Sequence, residues 1–225
     1  MLSCMGDEVG KDQAMTAAIQ SPPEQRVVLH NLSWQTYDRL LEEVAGCSSL
    51  RLTYDRGTLE IMSPSEEHEE LNRSLAYLIE ALITELDLES RSLGSATFRR
   101  EDLDRGFEAD SCFYIQSAPQ VAGKRKIDLS IDPPPDLVVE VELTSSAVDK
   151  LDLYANLRVP ELWRCSADAV RIFGLVSGRY EESPSSLAFP FLTAEKLSEL
   201  LRQGRSARRS QWIRSLRAWL SSVRT

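Results

Sequence analysis

Residues 133–150, PPPDLVVEVELTSSAVDK, constrain this chain more tightly than any other stretch. Three prolines cannot sit inside a central strand, because each lacks the N–H that a ladder needs. A strand is therefore expected to begin at about Asp136. Side chains alternate along a strand, so Leu137, Val139, Val141 and Leu143 share one face, and Asp136, Val138, Glu140 and Glu142 share the other. The first face is that of a packed core. The second sets two glutamates about 6.5 Å apart, where their charges repel by about 2.5 kcal/mol at an effective dielectric of about 20. Such a pair must be solvated, relieved by a proton, or bridged by a cation. A half-exposed strand with both acids in water is one solution, and a cation site is another.

The surrounding pattern limits what this strand belongs to. A length of 225 residues suits one substantial domain. A composition of 42% hydrophobic and 27% charged residues is that of a soluble globular protein. No apolar run approaches the ~18 residues of a membrane span, and the first 25 residues lack a secretory pattern. Cys4, Cys47, Cys112 and Cys165 are scattered, which argues against a disulfide framework or zinc site and for the cytoplasm. Residues 1–25, ending in SPPEQ, are expected to be a disordered leader. A single domain is expected over 26–201, and a basic C-terminal helix over 202–225.

Within the domain, a helix is expected from about Ser33 to Val44, then a hairpin in LRLTYDRGTLEIMSPS around its Arg-Gly turn. The clearest helix is SPSEEHEELNRSLAYLIEALITELDL, with Ser63 as cap, Pro64 in the first position and Glu66 completing a capping box. Leu71, Leu75, Leu78, Ile79, Leu82, Ile83 and Leu86 form its apolar stripe, which runs back to His68 and Glu67. ATFRREDL and EADSCFYIQS are expected as strands joined by a turn near Arg105 and Gly106, with KRKIDLSI partly extended. SSAVDKLDLYANLRV reads as a short helix, ELWRCS, AVRIFGLVS and RYEES as strands, and TAEKLSELLRQG as a helix stopping at Gly204. This order predicts an α/β or α+β domain around a single sheet.

Asp110, set among strand formers in FEADSCFYI, adds an acid to Glu140 and to the polar helix end at Glu67. An oxygen-rich site of this kind suits Mg2+ or Mn2+ rather than zinc. The segment GFEADSCFYIQ…KRKIDLSIDPPPDLVVEVELTSSAVDKLDLYANLRVPELWR resembles the core of the Uma-two family of bacterial restriction endonuclease-like proteins, of the PD-(D/E)XK nuclease superfamily. The likeness runs from about Val27 to Leu201 and, more weakly, into the tail.

The resemblance implies a central mixed β-sheet flanked by helices and a Mg2+-dependent site that hydrolyses DNA phosphodiester bonds. On it, Asp110 matches the first strand acid, Glu140 matches the acid of the (D/E)XK element, and the helix contribution falls on Glu67 and His68. Glu142 stands where the superfamily has lysine, and Lys150 becomes the migrated lysine. Asp110 and Glu140 would hold the metal; Glu142 would be a further ligand or an acid pairing with Lys150. The alternative is a degenerate nuclease fold serving as an interaction or nucleic-acid-binding module, which the glutamate at the lysine position favours.

The formal net charge of −9 argues against indiscriminate nucleic-acid binding. It is uneven: residues 202–225 hold seven arginines and no acid, so the remainder carries −16. Trp212, Ile213, Leu216, Trp219, Leu220 and Val223 form one face of an amphipathic helix. This helix, 205–223, is expected to pack on the body or on a second subunit, and the expected assembly is a homodimer.

Overall fold

The leucine stripe forms its helix as its spacing requires. The structure, a computed structural model, describes residues 24–223 apart from Ser48 and Asp168; of the expected leader, only Glu24 and Gln25 fall within it. Helix α2 (Glu66–Glu85) is capped by Ser65, whose hydroxyl accepts the His68 N–H at 3.2 Å. The cap is therefore not Ser63, which closes a strand paired to Gln25 and precedes a proline that favours extended backbone.

Two sheets form, where the sequence pattern suggested one. The first holds β1 (Gln25–Leu29), β2 (Arg51–Asp55), β3 (Thr58–Ser63), β5 (Thr97–Arg100) and β6 (Arg105–Glu108), antiparallel in the order β1-β3-β2-β6-β5. The β2–β3 hairpin turns on Arg56 and Gly57, both at positive φ (45° and 88°), as a twisted two-residue turn demands. Helix α1 (Trp34–Glu43), capped by Ser33, covers this sheet and stacks Tyr37 on Tyr54 with centroids 4.8 Å apart. Arg105 and Gly106 lie inside β6 and not in a turn. The reversal occurs instead at a 3-10 turn, Glu101–Leu103, closed by left-handed Asp104. Glycine is needed at 106 because a Cβ there would meet the Tyr37 hydroxyl and stand 2.6 Å from two of its ring carbons.

The second sheet holds β4 (Arg91–Ser92), β7 (Ser111–Tyr114), β8 (Leu137–Val141), β9 (Glu161–Cys165), β10 (Val170–Val176) and β11 (Arg179–Ser183), in the order β11-β10-β9-β8-β7-β4. β8 and β9 are parallel and joined through α4 (Lys150–Asn156); the other pairs are antiparallel. The chain passes from one sheet to the other between β6 and β7, at Ala109 and Asp110. After the short helix α3 (Ala118–Val121), residues 124–132 form turns, not a strand, because the Asp128 and Asp132 carboxylates bind nearby backbone N–H groups. The helix expected from Ser145 begins only at Lys150, after the Asp149 cap.

β8 is buried on both faces. Leu137, Val139 and Val141 join α2, α5 (Ala194–Ser206) and α6 (Arg209–Val223) in one core. Val138 joins a second core with Leu153 and Tyr154 of α4. The mixed sheet is thus flanked by helices, as expected. α5 continues past Gly204, which accommodates the Trp212 ring, and α6 packs on the body through Trp212, Leu216 and Leu220.

Candidate active site

The acids of the opening stretch divide at the end of β8. Glu140, on the same side as Val138, is fully buried, so the solvated-face solution does not hold for it. Its Oε2 accepts from Lys150 Nζ and its Oε1 from the Tyr154 hydroxyl, both across short contacts. Lys150 opens α4 and Tyr154 follows one turn later, so one short helix fixes both oxygens. Asp110, buried at the crossing between sheets, accepts the Val141 N–H at 2.8 Å. Asn72 of α2 donates to the Asp110 carbonyl at 3.1 Å and accepts from the Ser111 hydroxyl at 2.8 Å, fixing the backbone at the crossing. His68 Nε2 lies 3.1 Å from Asp110 Oδ2, within ion-pair reach though off the line of a good hydrogen bond.

These groups set one another's charge. Burial resists the charge on Asp110, but His68 and Lys150 outweigh it and hold the carboxyl below its ordinary range. Glu140 is pushed up to about 6, first by burial and then, against the pull of Lys150, by the charge of Asp110. Burial works against the Lys150 ammonium, yet Glu140 and Asp110 together hold it charged, with its pKa raised. His68 is likewise raised against burial by Asp110 and Glu24. At neutral pH the centre is therefore two carboxylates sharing a lysine.

The remaining predicted residues lie elsewhere. Glu67 points outward, 3.8 Å from the Arg205 guanidinium. Adjacent helical residues are about 100° apart, so His68 and Glu67 cannot both face inward. Glu142 lies just beyond β8, and both its oxygens accept from Arg164 of β9, so it pairs neither with Lys150 nor with the Asp110–Glu140 centre. A cavity of about 240 Å³ opens on the lysine side, lined by Glu142, Ser145, Ser146, Lys150 and Arg164, so Glu142 shares this cavity with Lys150 while its hydrogen bonds go to Arg164. A second, of about 330 Å³, reaches Asp110 past Arg51, Asn72 and Arg73.

The sequence reading missed a second buried network beside this one. Arg26 donates to Glu60 Oε1 at 2.5 Å and to Glu24 Oε2 at 3.1 Å, and Glu60 also accepts the Ala147 N–H at 2.6 Å. Glu24 Oε2 accepts from the Thr144 hydroxyl, and its buried Oε1, 3.7 Å from His68 Nε2, has no hydrogen-bond partner among the described residues. Glu60 carries the signal that exposed Glu140, an acid between apolar residues in a strand; Glu24, following two prolines, carries none.

The chain folds as a mixed sheet flanked by helices, with two buried carboxylates and a lysine where β7 and β8 meet the connecting helix. Residues 34–208 match the model of the Uma2 family, described as "Putative restriction endonuclease", and the chain belongs to that family. Comparison with curated proteins finds no match. Among solved structures, the crystal structure of a "putative nuclease belonging to DUF820" from Anabaena variabilis is similar at 14% identity and a TM-score of 0.44, over 67% of this chain and 90% of that one. Among the described residues, no helix is long and apolar enough to cross a membrane.

Proposed function

We propose that the protein is a divalent-cation-dependent endonuclease that hydrolyses DNA phosphodiester bonds. The observation that carries this reading is the burial of Asp110 and Glu140 around one lysine charge, in a chain of the restriction endonuclease-like family. Two acids are held where only positive charge makes them tolerable.

The donor set fits Mg2+ or Mn2+: the hard oxygens of two carboxylates, with one histidine beside Asp110. Among the described residues, no three His, Cys, Asp or Glu side chains surround a common metal position. Mg2+ is commonly held by one or two carboxylates with water and substrate phosphate completing the shell, and Asp110 and Glu140 would serve in that way. When bound, the cation would supply Lewis acidity and a more acidic water. Lys150 would neutralise charge developing on the phosphate. Tyr154 fixes the second oxygen of Glu140, and His68 keeps Asp110 ionised. Glu142, occupied by Arg164, and Glu67, on the outer face, have no part in this reading.

The test is conversion of supercoiled plasmid to nicked and linear forms by the purified protein with Mg2+, Mn2+ or EDTA, alongside Asp110→Asn and Glu140→Ala. Cleavage that needs the cation and disappears in both variants is expected. Equal cutting by parent and variants would overturn the site assignment. No cutting with either cation would shift the reading to the degenerate binding module.

A further inference from the structure

The packing of α6 decides where its arginines point. Trp212, Leu216 and Leu220 are buried in the core, and Trp212 lies against Tyr77 of α2. Arg209, Arg214 and Arg217 are left on the exposed side of α6, and Arg202 and Arg205 of α5 and Arg208 of the link between the two helices are exposed as well. No acid interrupts residues 200–223, in a chain whose remaining residues are strongly acidic.

The ridge they form runs alongside α2 and in the same direction. Arg205 lies 3.8 Å from Glu67, the Arg209 guanidinium 4.1 Å from the centre of the Tyr77 ring, and Arg217 Nε 2.7 Å from Glu85. Glu67 immediately precedes His68, so the ridge starts at the end of α2 that reaches the Asp110–Glu140 centre. Tyr77 is ten residues further on, about 15 Å along the axis. Arg205 also donates to the Ala167 carbonyl at 3.0 Å, just past β9, whose Cys165 is the register partner of Val141. Arg205 therefore stands on the flank of the site, and Arg208 and Arg209 continue the ridge away from it; Arg208 has no ion pair among the described residues. Glu66 and Glu70, exposed at the same end of α2, would by themselves repel a polyanion from that edge.

We propose that this arginine ridge is the surface that grips double-stranded DNA, holding its phosphate backbone beside the Asp110–Glu140–Lys150 centre. Arginine is the side chain suited to this, since its planar fork matches phosphate oxygens. A membrane surface is the poorer fit, because the apolar face that such a helix inserts is already spent on the core. The proposal rests on the nuclease reading for its placement beside the site, but binding does not require cleavage, and the two fail separately.

The test is fluorescence anisotropy of a labelled duplex against the full chain carrying Glu140→Gln, with and without Arg205→Gln, Arg208→Gln and Arg209→Gln together. Three phosphate contacts at a slope of about 0.9 each imply that the ridge-intact protein loses about 40-fold more affinity than the triple variant between about 50 and 200 mM salt. Lysine at the three positions should keep most of the salt dependence, and Arg179→Gln, exposed on the edge strand β11 and outside the ridge, should leave it unchanged. If the triple variant melts early, Arg208→Gln alone, at a residue with no ion pair among the described residues, should still lower the slope by about 0.9. An unchanged slope in a folded variant, or tighter binding to RNA or to phosphatidylserine vesicles than to duplex, would overturn the proposal. Ridge-dependent duplex binding by a protein that cuts no plasmid would leave it standing while the nuclease reading fell.

Discussion

Replacing Glu140 by glutamine should change how stability depends on pH, with a sign that the burial of this residue dictates. Its carboxyl rises from an ordinary 4.5 to about 6 in the folded protein, through burial and the charge of Asp110, so the folded state binds the proton more tightly than the unfolded chain. The corresponding stability is fully present below pH 4.5 and is lost as pH rises through about 6. At about 1.4 kcal/mol per tenfold change in proton affinity, the loss is about 2 kcal/mol. Glutamine cannot titrate, so the stability of the parent relative to Glu140→Gln should fall by about that amount across this window and then level off. His68, also raised, loses its contribution at higher pH, above its ordinary 6.5. Asp110, lowered, acts only below 3.8, so neither residue imitates the effect. Urea denaturation of both proteins in EDTA at closely spaced pH values measures the difference directly. A parent that gains stability over the variant as pH rises through the window would refute the reasoning, because it would mean that Lys150 outweighs burial.

Three further outcomes follow from the packing. Gly106→Ala should cost about 1–3 kcal/mol by overpacking against Tyr37; Tyr37→Phe, which removes a hydroxyl with no partner among the described residues, should be near neutral alone and recover part of that loss, as read by urea midpoints. Asn72→Ala should cost about 1–3 kcal/mol by leaving buried groups at the Asp110 crossing unpaired, and should lower plasmid nicking more than an exposed substitution of equal stability cost. Glu161→Gln should destabilise by about 1–3 kcal/mol, because the acceptor-only carboxylate takes N–H groups from Trp163, Leu187 and Ala188 and an amide must oppose one of them; a thermal melt reads the change.

How far the site was legible depended on whether its residues announced themselves locally. Glu140 did, because an acid flanked by valines in a strand conflicts with its surroundings, and Asp110 did for the same reason. Lys150 gave no such signal; a lysine opening a helix is unremarkable until the β8–α4 connection folds it onto Glu140. The pairing of Glu142 with Arg164 was invisible because it depends on the parallel register that sets Arg164 opposite Glu140. Helix spacing showed the core face of α2 correctly, but carrying the stripe onto both His68 and Glu67 ignored the 100° between neighbours. The two-sheet layout was hidden because EADSCFYIQS reads as one continuous strand, whereas β6 ends at Glu108 and β7 begins at Ser111. The C-terminal helix was legible in its amphipathicity, but its partner surface was not.

The network that ties Glu24 and Arg26 to Thr144 also sets when the site can exist. These contacts join residues 118–120 positions apart, while Lys150 and Tyr154 must also be in place around Glu140. At about 5–20 residues per second, Thr144 leaves the synthetic machinery about 6–24 s after Glu24. Until then the N-terminal hairpin and α2 have no strand to close upon, and long-range closures of this kind are the slow ones. An emerging chain thus carries no assembled centre: whatever chemistry the centre performs must wait until β8 and α4 have left the synthetic machinery and closed on the N-terminal part.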